Sequence, residues 1–187
     1  MQLCRAFAAA TLALSLTSSS VAPAADDLLP RFEAALAAQD SATAALEQWC
    51  DARGIADPVA IKAESAGGEM MPPSQRDRQA LEVTDSEPVK YRHVRLSCGD
   101  TVLSQAHNWY VPARLTPEMN RTLETTDMPF GKVVAPLRFK RERVASARGS
   151  TQGCPVDTVL HHQAVLRLPG GRPIATLIEC YSAQNLR

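Results

Sequence analysis

Two charged residues lie in segments that otherwise have the pattern of half-buried β-strands. The closing segment GGRPIATLIECYSA is apolar at nearly every position, and Glu179 lies in its middle. The segment VKYRHVRLSC alternates, and it places Arg92 on the same face as Val94 and Leu96. A charge on an apolar face is costly unless a partner compensates it, so both residues require an explanation.

Two interpretations of this pair follow. In the structural one, Arg92 and Glu179 form a buried ion pair, or they lie near strand ends and reach water. In the functional one, they line a cavity on the concave face of a sheet. A buried guanidinium can grip a carboxylate through two parallel hydrogen bonds, and a buried acid can donate or accept a proton. The functional interpretation suits a small anionic ligand with a hydroxyl group at its far end.

The order of predicted elements is two helices, a strand, a hairpin, further helices and three more strands. Tight turns at Gly99-Asp100 and Gly170-Gly171 join consecutive strands, which favours antiparallel pairing. The sequence therefore predicts an α+β fold, an antiparallel sheet with helices packed on one side. The stretch SAGGEMMPPSQRD is predicted to be a loop, and the charged run KRER at 140–143 a solvated strand face.

The first 24 residues are typical of a signal peptide. Arg5 precedes a short apolar stretch, AFAAATLALSL, and Ala22-Pro23-Ala24 places small residues before a cleavage site. Residues 25–187 are then expected to form a single domain in the periplasm or outside the cell. No other segment is long and apolar enough to cross a membrane, so no membrane span is expected after cleavage.

Four cysteines remain after that cleavage, and their even number in an exported chain favours two disulfides. The candidates are Cys50, Cys98, Cys154 and Cys180, and the sequence does not choose among the three possible pairings.

Neither a metal nor a nucleic acid is an expected partner. His161 and His162 are adjacent on a predicted strand, so they point to opposite faces, although His93 and His107 could meet across the hairpin. The formal net charge is zero and there is no basic stripe, which argues against nucleic acid as a partner.

From about Ser41 to its C-terminus the sequence resembles the chorismate lyase family, whose enzymes split chorismate into 4-hydroxybenzoate and pyruvate. Four segments carry the resemblance in the family's order: DSATAALEQ, RHVRLSCGDTVLSQAHNWYVP, MPFGKVV and VLRLPGGRPIATLIECYSA. The resemblance implies a chorismate lyase-like fold with a buried ligand cavity and no cofactor. The same fold serves effector-binding UTRA domains of transcription regulators, which catalyse nothing.

The resemblance also assigns roles to residues. The arginine that holds the ligand carboxylate matches Arg92, and the active-site glutamate matches Glu179. Backbone amides that contact the ligand match Ala42, where the enzyme has methionine, and Phe130, where it has leucine. The chain departs from the family in its export signal and in the stretch HHQAVLRL, which replaces a more basic one.

Two functions are therefore expected. One is an exported chorismate lyase-like enzyme with Arg92 and Glu179 as its catalytic pair. The alternative is a non-catalytic binding or sensing protein whose partner is a small aromatic carboxylate such as chorismate or 4-hydroxybenzoate. Both use the same pocket residues, so the sequence does not separate them.

Overall fold

The structure is a computed structural model, and it describes residues 25–187, with side chains from Leu28 onward. The α-helices of this part are α1 Ala25–Ala37, α2 Ala42–Arg53, α3 Gln75–Ala80, α4 Pro117–Thr125 and α5 Phe130–Val134. The strands are β1 Ile61–Ser65, β2 Lys90–Cys98, β3 Thr101–Tyr110, β4 Lys140–Arg148, β5 Thr158–Arg167 and β6 Pro173–Ser182. The predicted signal peptide, residues 1–24, lies outside the described residues.

The strands form one antiparallel sheet in the order β1-β2-β3-β6-β5-β4. This arrangement confirms the predicted α+β fold class. In the centre of the sheet, β3 separates β2, which carries Arg92, from β6, which carries Glu179. The register places Arg92 opposite Asn108 on β3, whereas Glu179 is opposite Ala106 on β3 and His162 on β5.

Helices α1, α2, α4 and α5 cover one face of this sheet. One core cluster includes Phe32 of α1, Trp49 of α2 and Tyr181 of β6. A second cluster joins Phe130 of α5 to Tyr110 of β3, with their ring centroids 5.4 Å apart. The two clusters fix the helices over the sheet, and the polar positions of the central strands lie between them.

The ends of α2 form as its sequence predicts. The Ser41 hydroxyl accepts a hydrogen bond from the Ala44 amide at 3.4 Å, and Gly54 ends the helix in the left-handed conformation, with φ at 59°.

The first residues of α3, 75–77, lie in the stretch that the sequence analysis predicts to be a loop, so the prediction is wrong over these residues. The start of α3 is marked by a capping box. The Ser74 hydroxyl accepts a hydrogen bond from the Asp77 amide, and the Asp77 carboxylate accepts one from the Ser74 amide. Leu81, just after α3, packs with Trp109 on the sheet face opposite the larger helices.

Two disulfides are present in the described part of the chain. Cys50 of α2 bonds to Cys98 at the end of β2, 48 residues away in sequence, and Cys154 bonds to Cys180 of β6, 26 residues away. Both join elements that are distant in sequence, so each restricts the unfolded chain substantially.

We expect the longer of the two loops to give the larger stabilisation. Chain entropy predicts that replacing Cys50 and Cys98 by alanine lowers the free energy of unfolding by about 4 kcal/mol, against about 3.5 kcal/mol for Cys154 and Cys180. Urea unfolding of the two double variants, with the oxidised wild type as control, measures both losses. A variant as stable as the wild type would contradict the stabilising role of its disulfide.

Candidate functional site

Arg92 is a half-buried cation on the helix-covered face of β2. Its Nη2 donates a hydrogen bond to the Met128 carbonyl at 3.5 Å. Burial lowers the pKa of Arg92, while Tyr110 and Asp127 act in the opposite direction. The side chain still carries its charge at neutral pH, because arginine does not lose its proton in proteins. Within residues 25–187, the salt bridges do not include Arg92.

Glu179 is 4% exposed, and its carboxylate is compensated by a partner that the sequence analysis missed. Nη2 of Arg141, from the edge strand β4, donates to Glu179 Oε2 in a buried ion pair. The Tyr181 hydroxyl donates to the same oxygen at 3.1 Å. The buried ion pair therefore forms between Glu179 and Arg141, and not between Glu179 and Arg92.

Arg141 belongs to the run that the sequence analysis predicts to be a solvated strand face, and for this residue the prediction is wrong. Its side chain is only 4% exposed. Burial acts to lower the pKa of Arg141, but the charges and hydrogen bonds of Glu179 and Tyr181 together outweigh burial and raise that pKa above its usual range. Arg143, on the same strand, is exposed as predicted.

His162 completes this buried network. Its Nδ1 lies 3.0 Å from Arg141 Nη2 and must accept the hydrogen bond, because arginine can only donate. The ring proton is then on Nε2, which has no hydrogen-bond partner among the described residues. Burial lowers the pKa of His162 to about 4, with Glu179 opposing the shift and Arg141 adding to it. The imidazole is therefore neutral at pH 7.

A cavity lies between the sheet and the first turns of α2 and α5, with about 40 Å³ of space for the centres of water-sized molecules. Arg92, Arg141 and Glu179 supply its charged groups. Its apolar lining is Ala42, Val94, Leu96, Ala106, Phe130, Phe139, Leu166 and Leu177, and its other polar lining is Ser41, Thr43, Gly131 and Asn108. The predicted residues Arg92, Glu179, Ala42 and Phe130 thus all border one cavity.

Ala42 and Phe130 are the first residues of α2 and α5. Amides in a first helical turn have no partner within their own helix, so these positions can offer hydrogen-bond donors. The two helix starts approach closely at Gly131, where the β-carbon of any larger residue would lie 2.6 Å from the Ser41 hydroxyl oxygen and 3.1 Å from that of Thr43. A side chain there would displace the Ser41 hydroxyl that caps α2, a constraint that the sequence analysis did not identify.

Arg92 also borders an open groove on the other side of the cavity wall. This groove lies between β1, β2 and the end of α4, and Gly67, Gly68 and Asp127 are among its lining residues. The guanidinium of Arg92 thus lies between the cavity and a surface that solvent reaches.

The remaining candidates lie away from this cavity. His93 and His107 stack on the far face of the sheet with ring centroids 4.2 Å apart, as their hairpin positions predict. His107 Nδ1 bonds to the Tyr91 hydroxyl at 2.7 Å, and Nε2 to the Gly153 carbonyl at 2.9 Å. No group of three or more potential metal ligands occurs among residues 25–187. In the same range, no helix has both the length and the apolar character to cross a bilayer.

Removing the cation of the buried pair should be strongly destabilising. Arg141→Ala leaves Glu179 buried without its partner, and we expect a loss of about 3–5 kcal/mol in the free energy of unfolding. The matched control is Arg143→Ala, an exposed arginine two residues along β4, with an expected change within about 0.5 kcal/mol. Urea unfolding gives both values. Similar losses in the two variants would contradict the assigned ion pair.

His162 should make stability depend on pH. Its pKa is about 4 in the folded protein and 6.5 in the unfolded chain, so the unfolded chain binds more protons between these values. We therefore expect the free energy of unfolding to fall by about 2–3 kcal/mol as the pH drops from 6.5 to 4. His162→Asn keeps an acceptor for Arg141 and should remove this part of the loss. His161→Asn retains His162 and should retain the loss, which thermal unfolding across the pH range will show.

Comparison with known proteins gives one clear relative. The uncharacterized protein y4mC of Sinorhizobium fredii is 40% identical over 174 residues, an alignment that covers 83% of this chain and 73% of that protein. No family model matches the chain.

Among solved structures, the effector domain of PhnF from Mycobacterium smegmatis aligns with a TM-score of 0.56 at 12% identity, covering 78% of this chain and 90% of that domain. The PhnF structure aligns with a TM-score of 0.57 at 12% identity, covering 80% of this chain and 66% of PhnF. At this identity the likeness concerns the fold alone, and that fold belongs to the class shared by UTRA domains and chorismate lyase. The sequence identity over most of both chains places this protein in the same family as y4mC of Sinorhizobium fredii.

Proposed function

We propose that the cavity binds a small aromatic carboxylate, with Arg92 holding the carboxylate group. The observation that carries this proposal is the half-buried Arg92 guanidinium, which lines the cavity and makes no salt bridge within residues 25–187. A partly desolvated cation without a salt bridge favours an anion more than an exposed arginine does. The guanidinium also has the planar fork that pairs with a carboxylate through two hydrogen bonds.

The charge of the cavity fits a singly charged ligand. Two arginines and one glutamate line it, so their charges leave one positive charge, and neutral His162 adds none. The pair of Arg141 and Glu179 is already neutralised, which leaves Arg92 for the ligand. A benzoate with one carboxylate would complete the balance.

The rest of the ligand would lie between Arg92 and Glu179. These residues are on β2 and β6, on either side of β3, where the small side chain of Ala106 leaves space above the sheet. Phe130, Phe139 and Leu177 offer apolar surface for a ring. Glu179 would accept a hydrogen bond from a hydroxyl group opposite the carboxylate, as in 4-hydroxybenzoate. A ligand-binding role also agrees with the fold shared with the effector domain of PhnF.

Elimination of pyruvate from chorismate at the same site is the second candidate. It is favoured by the presence of Arg92 and Glu179 in one cavity, as the resemblance to chorismate lyase implies. The C3–O bond of chorismate breaks, C4 loses its proton, and the leaving enolpyruvate takes up a proton to become pyruvate. The ring becomes aromatic, so the step is downhill. Arg92 would hold the ring carboxylate, and the Glu179 carboxylate would accept the C4 proton.

We further propose that residues 25–187 form the mature, exported domain. Two disulfides are typical of proteins in oxidising compartments, which agrees with a periplasmic or secreted location.

Calorimetric titration with 4-hydroxybenzoate tests the binding proposal. We expect residues 25–187, with both disulfides formed, to bind it, and Arg92→Ala to weaken binding by about 10–100-fold, because a charged hydrogen-bonded contact is lost. Arg95→Ala on the same strand, facing away from the cavity, should bind like the wild type. Ala106→Leu should abolish binding by filling the space while keeping every charge. No binding by a folded wild type would overturn the proposal.

Adding chorismate to the same protein separates the two candidates. Formation of 4-hydroxybenzoate and pyruvate by the wild type, with loss of activity in Glu179→Gln, would support the lyase. Binding of 4-hydroxybenzoate with chorismate left intact would support a receptor without turnover. Chromatography of the products gives the answer.

A further inference from the structure

Asn108 is a buried polar residue whose side chain makes no hydrogen bond to the described residues. It is 2% exposed, and it lines the cavity on β3 between Arg92 of β2 and Leu177 of β6. Its Oδ1 has no hydrogen-bond partner among the described residues. A buried amide without partners destabilises a folded protein, so a position like this one needs an explanation.

Two other asparagines with a buried Oδ1 do not share this situation. Oδ1 of Asn120 and of Asn185 is also without a partner. However, Asn120 Nδ2 donates to the Pro112 carbonyl at 3.0 Å, and Asn185 Nδ2 donates to the Leu103 carbonyl at 2.7 Å. These two side chains hold loops and turns in place. Asn108 has no comparable anchor within residues 25–187, and it alone of the three borders the cavity.

We propose that Asn108 determines ligand specificity by binding a second hydroxyl group on the aromatic ring. This inference rests on the proposed binding of an aromatic carboxylate in the same cavity. A ring that extends from Arg92 to Glu179 crosses β3, and Asn108 lies on that strand beside its path. The second hydroxyl group would therefore lie ortho or meta to the carboxylate.

The chemistry of the amide fits a hydroxyl group in particular. Oδ1 accepts a hydrogen bond and Nδ2 donates one, while a hydroxyl group can do both. A second carboxylate is disfavoured, because Arg92 carries the charge that remains after Arg141 and Glu179 compensate each other. The ligand class is thus a dihydroxybenzoate, with one hydroxyl group at Glu179 and the other at Asn108.

The test compares three ligands by calorimetric titration: 4-hydroxybenzoate, 2,4-dihydroxybenzoate and 3,4-dihydroxybenzoate. We expect at least one dihydroxybenzoate to bind the wild type about 5–10-fold more tightly than 4-hydroxybenzoate. In Asn108→Leu this preference should disappear, and the unliganded variant should unfold at a higher temperature than the wild type. Gln163→Leu, an exposed position on the opposite face of the sheet, is the matched control and should keep the preference.

The outcomes separate this inference from the proposed function. If 4-hydroxybenzoate binds but neither dihydroxybenzoate gains affinity, or if Asn108→Leu keeps the preference, the role of Asn108 is wrong while the binding proposal stands. If none of the three ligands binds the wild type, the proposed function itself fails. Asn108→Ala provides the same comparison should the leucine prevent folding.

Discussion

A carboxylate in the middle of a sheet is stable only beside a cation, and here that cation comes from the edge strand. Arg141 extends from β4 to reach Glu179 on β6, and it bonds to His162 on the strand between them. This network neutralises Glu179 without using Arg92. The second arginine of the cavity, Arg92, is thereby left without a salt bridge among the described residues.

The cavity combines features that are costly for stability. Ala106 leaves space where a larger residue would pack, Asn108 has an amide oxygen without a partner, and Arg92 is partly desolvated. Each would be improved by an apolar side chain of suitable size if stability alone mattered. Their positions on central strands also hold them rigidly, since β2, β3 and β6 pair along most of their lengths. Binding sites typically combine locally destabilising residues with a rigid framework that holds them in place.

Local sequence patterns were sufficient to predict most of the fold and some of the residues that line the cavity. Alternation along β2 and β6 placed Arg92 and Glu179 on apolar faces, and residues such as Ser41 and Gly54 marked the ends of α2. The partner of Glu179 could not be predicted in this way, because it depends on the register of strands distant in sequence and on the reach of a long side chain. A run of four charges on an edge strand gives no sign that one of them turns inward.

The disulfide pairing could not be predicted from the sequence for the same reason. Cys50 lies in a helix and Cys98 in a strand, and their proximity depends on how that helix packs on the sheet. The close packing at Gly131 is a similar case, since it arises only where α2 and α5 meet. Asn108 was overlooked because an asparagine in a strand has many ordinary explanations, and only its lack of partners distinguishes it.

The Cys50–Cys98 bond has a consequence for the redox behaviour of the protein. It joins α2, whose first turn borders the cavity, to β2, which carries Arg92. Two walls of the cavity are therefore covalently connected, and ordering them costs less once the bond has formed. Thermodynamic coupling is reciprocal, so a ligand that holds these walls together would also make the disulfide harder to reduce. If the cavity binds a ligand as proposed, the affinity would be higher in the oxidised protein than in the reduced one.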